Sequence, residues 1–170
     1  MSSPFDPSKL FTNDWIITIL SHPHLTFHRS SPTHFPTILA LEANPLNSPF
    51  SAPSVRNLPH TPQTDADDFQ IMLSSYLSSP ETHLALHLIV QQDGETIGLG
   101  GATGRGDWAN IGRIFVESAR GKGVGEVMMR LLLRLSGEVR VQSVGAGTMR
   151  ENRAMRGLMR KLGLEETEEV

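Results

Sequence analysis

The run Arg120-Gly121-Lys122-Gly123-Val124-Gly125 sets glycines at alternate positions beside two basic side chains. Glycine lets the backbone take positive φ and approach a ligand closely. The run follows an apolar, β-branched stretch from Ile111 to Val116 and precedes Glu126 to Leu135, which reads as a strong helix. A loop that opens into a helix offers unpaired N–H groups and the positive end of the dipole, about +0.5 charge. Arg120 and Lys122 add full charges. The chemistry this pattern predicts is the binding of a phosphate or pyrophosphate. A glycine turn with two solvated cations is the plainer alternative.

The wider pattern narrows the choice. A Walker loop needs Ser or Thr after its lysine, and Gly123 follows Lys122. A dinucleotide fingerprint needs G-x-G-x-x-G early in a βαβ unit. Here the glycines run G-x-G-x-G, late in the chain. What remains is R/Q-x-x-G-x-G/A. Downstream, Asn152-Arg153-Ala154-Met155-Arg156-Gly157-Leu158-Met159-Arg160-Lys161-Leu162-Gly163-Leu164 looks like N-x-x-A-x-x-x-[YL]-x-K-x-G-[FL], with Met159 at the [YL] position. With both signatures in order, the chain resembles the GNAT superfamily of acyl-CoA-dependent N-acyltransferases over residues 85–164. It is most similar to the branch holding the ribosomal-protein N-terminal acetyltransferases.

The resemblance implies a direct transfer of an acetyl or related acyl group from acetyl-CoA to an amine, without a metal. The acceptor would be a small molecule or a protein N-terminus. It implies cofactor contacts at Ile114, Phe115 and Val116 on the family's fourth strand. It extends them through Arg120, Gly121, Lys122, Gly123, Val124, Gly125 and Glu126, and to Asn152, which also reads as a helix cap. Two further readings stay open: a GNAT-like enzyme with an unusual reaction, and a CoA-binding module without catalysis.

The sequence departs from the family pattern at the chemistry. Met159 stands where a tyrosine often protonates the leaving thiolate. Asn110 stands nearest the position of a common glutamate base. Asp107 could act through water and is otherwise a turn residue; Glu117 is a comparable candidate on the cofactor side. Val116 to Arg120 looks one residue short of the usual spacing, which leaves the register of Phe115 and Val116 open. His22, His24 and His28 have metal-like spacing with no carboxylate or cysteine beside them, so packed or solvated rings are the expectation. His83 and His87 would share one face of a strand.

The elements that must position these residues follow from composition and periodicity. A chain of 170 residues with no cysteine excludes disulfides, cysteine zinc sites and a thiol nucleophile. No apolar run suits a membrane span, and a cytoplasmic protein is expected. The net charge of -3 hides a segregation. Residues 105–161 hold 12 basic and 5 acidic side chains, against 3 and 9 in residues 1–104. A cationic half suits an anionic cofactor. No basic tract suggests nucleic acid.

All 11 prolines lie at or before Pro80 and all 15 glycines at or after Gly94. An arm over 1–23 and one domain over 24–170 are expected, with 44–64 as a Pro-rich loop and candidate acceptor lid. His24 to His28 reads as a strand, and Pro32 or Thr33 begins a helix. Asp65 to Leu77 reads as a second helix. His83 to Gln91 and Glu95 to Gly101 form a hairpin across Asp93-Gly94. After the strand at 111–116 and the long helix, Val139 to Met149 reads as a strand and Glu151 to Leu162 as a helix ended by Gly163. Met128, Leu132 and Leu135 are expected in the core. The fold class is mixed α/β: a central, mostly antiparallel sheet flanked by helices.

The family usually places a strand pair after the second signature, whereas only six residues follow Leu164 here, four of them glutamates. That predicts an open edge on the strand at 139–149. Two covers suggest themselves: the apolar segment Trp15 to Leu20, or a second subunit in a homodimer.

Overall fold

The computed structural model describes residues 6–47, 61–77 and 84–167. Strands β1 (Ile16–Ile19), β2 (His22–Arg29), β3 (Leu84–Gln92), β4 (Glu95–Arg105), β5 (Trp108–Phe115) and β6 (Ser143–Gly145) form one sheet in that order. Neighbours are antiparallel except β5 and β6, which run parallel. Helix α1 (Lys9–Thr12) leads into β1. Helices α2 (Phe35–Ala43) and α3 (Pro62–Leu77) join β2 to β3. Helix α4 (Val124–Glu138) joins β5 to β6, and α5 (Arg153–Lys161) follows β6.

Local chemistry sets these bounds. Asp93 (φ 51°) and Gly94 (φ 88°) make the two-residue turn between β3 and β4. Helix α3 begins earlier than the expected Asp65. Thr61 and Thr64 exchange hydrogen bonds, each backbone N–H to the other's hydroxyl, and Pro62 supplies the first helical residue.

The sheet is covered on both faces. One face carries α4 and α5 over Leu86, Leu88, Ala109, Ile111 and Phe115, with Met128 and Leu132 fully buried and Leu135 nearly so. The other carries Phe35, Ile38 and Leu41 of α2, with Phe69 and Tyr76 of α3, over Ile89, Leu99 and Ile114. Central strand β3 is therefore apolar on both sides, and Leu88, Ile89 and Val90 are all fully buried.

Two expectations are corrected. The strand read over 139–149 pairs only at Ser143–Gly145. Arg140 (φ 63°) ends the helix, and beyond Gly145 the chain leaves β5. Glycine at 145 and 147 disfavours a longer strand. The segment Trp15 to Leu20 does not cover β6: β1 pairs with β2 at the opposite edge of the sheet. The arm over 1–23 carries ordered elements. Leu10 is buried, its carbonyl accepts from Trp15 Nε1 at 3.1 Å, and β2 begins inside the arm at His22.

Candidate active site

Strand β5 has two unlike halves. Trp108, Ala109 and Asn110 pair with Ser143, Val144 and Gly145, and pairing stops there. Beyond it the strands splay into a cleft of about 790 Å³. Gly112 to Phe115 line one wall, Gly147 to Met149 the other, and the glycine loop stands at its mouth. The Val116 N–H donates to the Ile97 carbonyl at 3.0 Å. In an antiparallel ladder this phase directs even-numbered residues of β5 to β4. The N–H and C=O groups of Arg113 and Phe115 therefore face the cleft.

The loop is built for an anion. Gly121 (φ 72°) and Gly123 (φ 81°) are left-handed, a conformation other residues adopt at a cost. The backbone N–H groups from Gly121 to Gly125 have no partner among the described residues, because helical bonding starts with Glu126 and Val127 on the Gly123 carbonyl. They converge at the start of α4, where the helix dipole is positive. Such a cradle suits a diphosphate.

The predicted residues divide by place. Ile114, Phe115, Arg120, Gly121, Gly123, Gly125, Glu126 and Asn152 line the cleft. Val124 is buried in the core, Val116 packs between both apolar clusters, and Lys122 is exposed on the loop. Arg120 spends its Nη2 on two backbone carbonyls, those of Leu46 and, at 3.2 Å, Phe115. It ties the turn after α2 to the loop. In that turn Asn47 is buried, donates to the Leu41 carbonyl at 3.0 Å and lines the cleft. Residues 48–60 of the Pro-rich loop lie outside the described residues.

Glu126 is bonded by Lys161 Nζ at 2.5 Å and by Arg130 at 3.0 Å. These bonds, Lys161 first, hold its carboxyl below the usual range. They tether α5 to α4 and offset a negative charge beside the cradle. Asn152 caps α5: its Oδ1 accepts from the Met155 N–H at 3.1 Å, and its Nδ2 donates to Thr148 Oγ1 at 3.0 Å. The cap and a place in the cleft coexist.

The two catalytic candidates lie elsewhere. Asp107 is exposed at the β4–β5 turn, where its backbone carbonyl accepts from Gln142 and Ser143. Asn110 lines a second cavity with Trp108, Gly145 and Met159. That cavity meets the cleft at Gly147 and Thr148, which line both. Glu117 opens the short 3-10 turn before the loop and is exposed. His83 lies outside the described residues, and no group of three or more His, Cys, Asp or Glu is placed to hold a metal among those described.

One residue was not singled out from the sequence. Arg113 lines the cleft, stands in phase with buried Ala109, Ile111 and Phe115, and keeps its Nε buried without an acceptor. The signal was present: an arginine on the apolar phase of an alternating strand.

The model of the acetyltransferase (GNAT) domain family matches residues 24–165. The chain belongs to the GNAT family. A search of curated proteins finds no match by sequence. Solved structures share the GNAT fold at low identity. A ribosomal-protein-alanine N-acetyltransferase from Brucella melitensis is 17% identical, with TM-score 0.65, over 84% of this chain and 85% of its own. AAC(6')-Iy, solved with the bisubstrate analog CoA-S-monomethyl-acetylneamine, is 18% identical, with TM-score 0.62, over 86% and 95%. A GNAT-family acetyltransferase from Streptococcus pneumoniae is 13% identical, with TM-score 0.63, over 82% and 83%. The mixed sheet with helices on both faces is that of the family.

In the GNAT signature helix, Met159 is buried and lines the second cavity, not the cleft. Met159→Leu conserves volume and proton chemistry. Turnover is expected within about threefold of the parent, and a loss beyond about tenfold, ~1.4 kcal/mol, in a normally folded variant would contradict this placement.

Proposed function

We propose that this protein transfers an acetyl or related acyl group from acyl-CoA to an amine, with the CoA held in the β5 cleft. One observation supports the reading above the rest: the β5–β6 ladder breaks directly below a glycine loop whose N–H groups have no partner among the described residues. The unpartnered N–H groups fit a diphosphate, and the free edge of β5 fits an extended amide-bearing arm by strand-like bonding. The bisubstrate analog in AAC(6')-Iy carries the same CoA moiety. Acyl-CoA supplies a thioester carbonyl at which the amine forms a C–N bond; the C–S bond then breaks, and CoA leaves as a thiolate that takes a proton from water.

The chain's own residues supply position and polarity. The loop fixes the anionic end, and the Arg113 and Phe115 backbone aligns the arm toward the splay. At the splay, Thr148 accepts from Asn152 Nδ2, which leaves its hydroxyl proton free to donate toward a developing negative charge. The acceptor amine enters from the second cavity, past Trp108 and Asn110, and loses its proton to water. Asn110 orients the amine and does not remove its proton. Asp107 serves the turn.

The acceptor is a small-molecule amine or a protein N-terminus, in the cytoplasm. The ribosomal-protein acetyltransferase among the structural neighbours favours including peptides in the test. Thiol release from acetyl-CoA, measured across small amines and peptides with free N-termini, selects between them. Release with neither class overturns acyl transfer.

A homodimer is the proposed cover for β6, since β1 lies at the far edge. Light scattering across a concentration series is expected to give twice the chain mass; a monomer at all concentrations contradicts it.

A further inference from the structure

We propose that Arg113 is an anion-binding residue of the cleft, meeting the CoA diphosphate from beneath the start of α4, and that position 125 is glycine to admit it. The inference rests on the acyl-CoA reading above and adds a side chain to a site otherwise made of backbone.

The first argument is electrostatic. Arg113 is largely buried, and burial lowers its guanidinium pKa from the ordinary value. Its Nε has no hydrogen-bond acceptor, and no carboxylate pairs with it among the described residues. Its Cζ lies 5.3 Å from the centre of the Phe115 ring, a favourable neighbour. The dipole of α4 is positive at this end, Arg120 stands at the same mouth, and the one carboxylate lining the cleft, Glu126, is taken up by Lys161 and Arg130. A buried cation without a counter-charge is unfavourable in a protein that gains nothing from it. A bound anion would satisfy the guanidinium, the helix start and the loop N–H groups together.

The second argument is steric and independent. A Cβ on Gly125 would lie 2.7 Å from Arg113 Cζ, 2.9 Å from Nη1 and 3.0 Å from Nε. Those are its three nearest atoms, so the guanidinium occupies the space a side chain would take. Gly121 and Gly123 are glycine for their positive φ; Gly125 has no such φ. Its lack of a side chain lets Arg113, which lines the cleft, lie against the helix start.

The test is a double-mutant cycle read by calorimetric titration with CoA, with melting measured on ligand-free protein. Arg113→Met keeps the aliphatic stem and removes the charge. It is expected to weaken CoA binding at least tenfold while raising the ligand-free melting temperature, because an unpaired buried charge is gone. Gly125→Ala is expected to weaken CoA binding in the parent and to have little effect in the Arg113→Met background. Dephospho-CoA, which keeps the diphosphate and lacks the 3′-phosphate, is expected to show the same penalty.

Parent protein that binds CoA, with Arg113→Met within threefold of it, overturns the role of Arg113 and leaves the acyl-CoA reading intact. Parent protein that binds no CoA overturns both. A lower ligand-free melting temperature for Arg113→Met assigns the arginine to structure and overturns the inference. A penalty that vanishes with dephospho-CoA overturns the diphosphate assignment.

Discussion

Gly123→Asp is expected to lower CoA affinity about 100-fold, or ~2.8 kcal/mol. Gly123 caps α4 with φ 81°, and nothing lies within 4 Å of the position a Cβ would take. A side chain therefore has room, but it projects from the cradle and must tolerate a left-handed backbone. Asp and Asn share that tolerance and nearly the same volume. Gly123→Asn thus controls for backbone strain and bulk, and is expected to lose about tenfold at most. The difference between the two isolates a negative charge set against an anion at a helix start. Calorimetric titration with CoA reads the affinities, and melting curves check that both variants fold alike. Equal affinities for the two would show that no anion sits there.

Met128→Ala is the largest expected effect on stability. Met128 lies on the buried face of α4 and is fully inaccessible. Its side chain fills a hollow in β4: a Cβ on Gly100 would stand 2.8 Å from its sulfur and 2.9 Å from its Cγ. The hollow exists because Gly100 has no side chain. Truncation leaves a cavity that strand and helix cannot both close, with a loss of about 2–5 kcal/mol. For a chain of this size the melting temperature should fall by roughly 5–15 °C. Adding Gly100→Ala to Met128→Ala places a methyl group in the vacated space and should recover part of the loss, whereas Gly100→Ala alone should destabilise. Additive effects would show that the two sites do not share a cavity.

Much of this arrangement was legible in local sequence. The turn at Asp93-Gly94 needs positive φ, and only such residues stand there. The continuous run Leu88-Ile89-Val90 announces a strand buried on both faces. The alternate glycines after an apolar strand announce the cradle, since backbone conformation and helix start are local properties. Asn152 reads as a cap because capping involves residues three apart.

What the sequence left open depends on contacts distant along the chain. Val139 to Met149 has strand-like composition, yet pairing ends at Gly145 because β5 diverges. No residue within the segment encodes that divergence. Whether Trp15 to Leu20 lies at one sheet edge or the other is decided by pairing of Ile17 with Phe27, which apolarity alone does not specify. Arg113 stands on the apolar phase of its strand, but neither segment alone shows that Gly125, twelve positions on, lies against it. Asn110 and Asp107 are close to the splay in sequence, but Asn110 sits in the last pair of the β5–β6 ladder beside the second cavity and Asp107 in the turn before β5.

The most direct test of the central claim is hydrogen exchange at single amides with and without CoA. Unbonded N–H groups exchange quickly, and a ligand that bonds them slows exchange. The account predicts fast exchange from Gly121 to Gly125 in the free protein, as none of these amides has a partner among the described residues. With CoA, those amides and the cleft-facing amides of Arg113 and Phe115 should be protected together, while the Asp93–Gly94 turn stays unchanged. Saturating CoA that leaves the loop and β5 amides exchanging at their free rates would contradict the account.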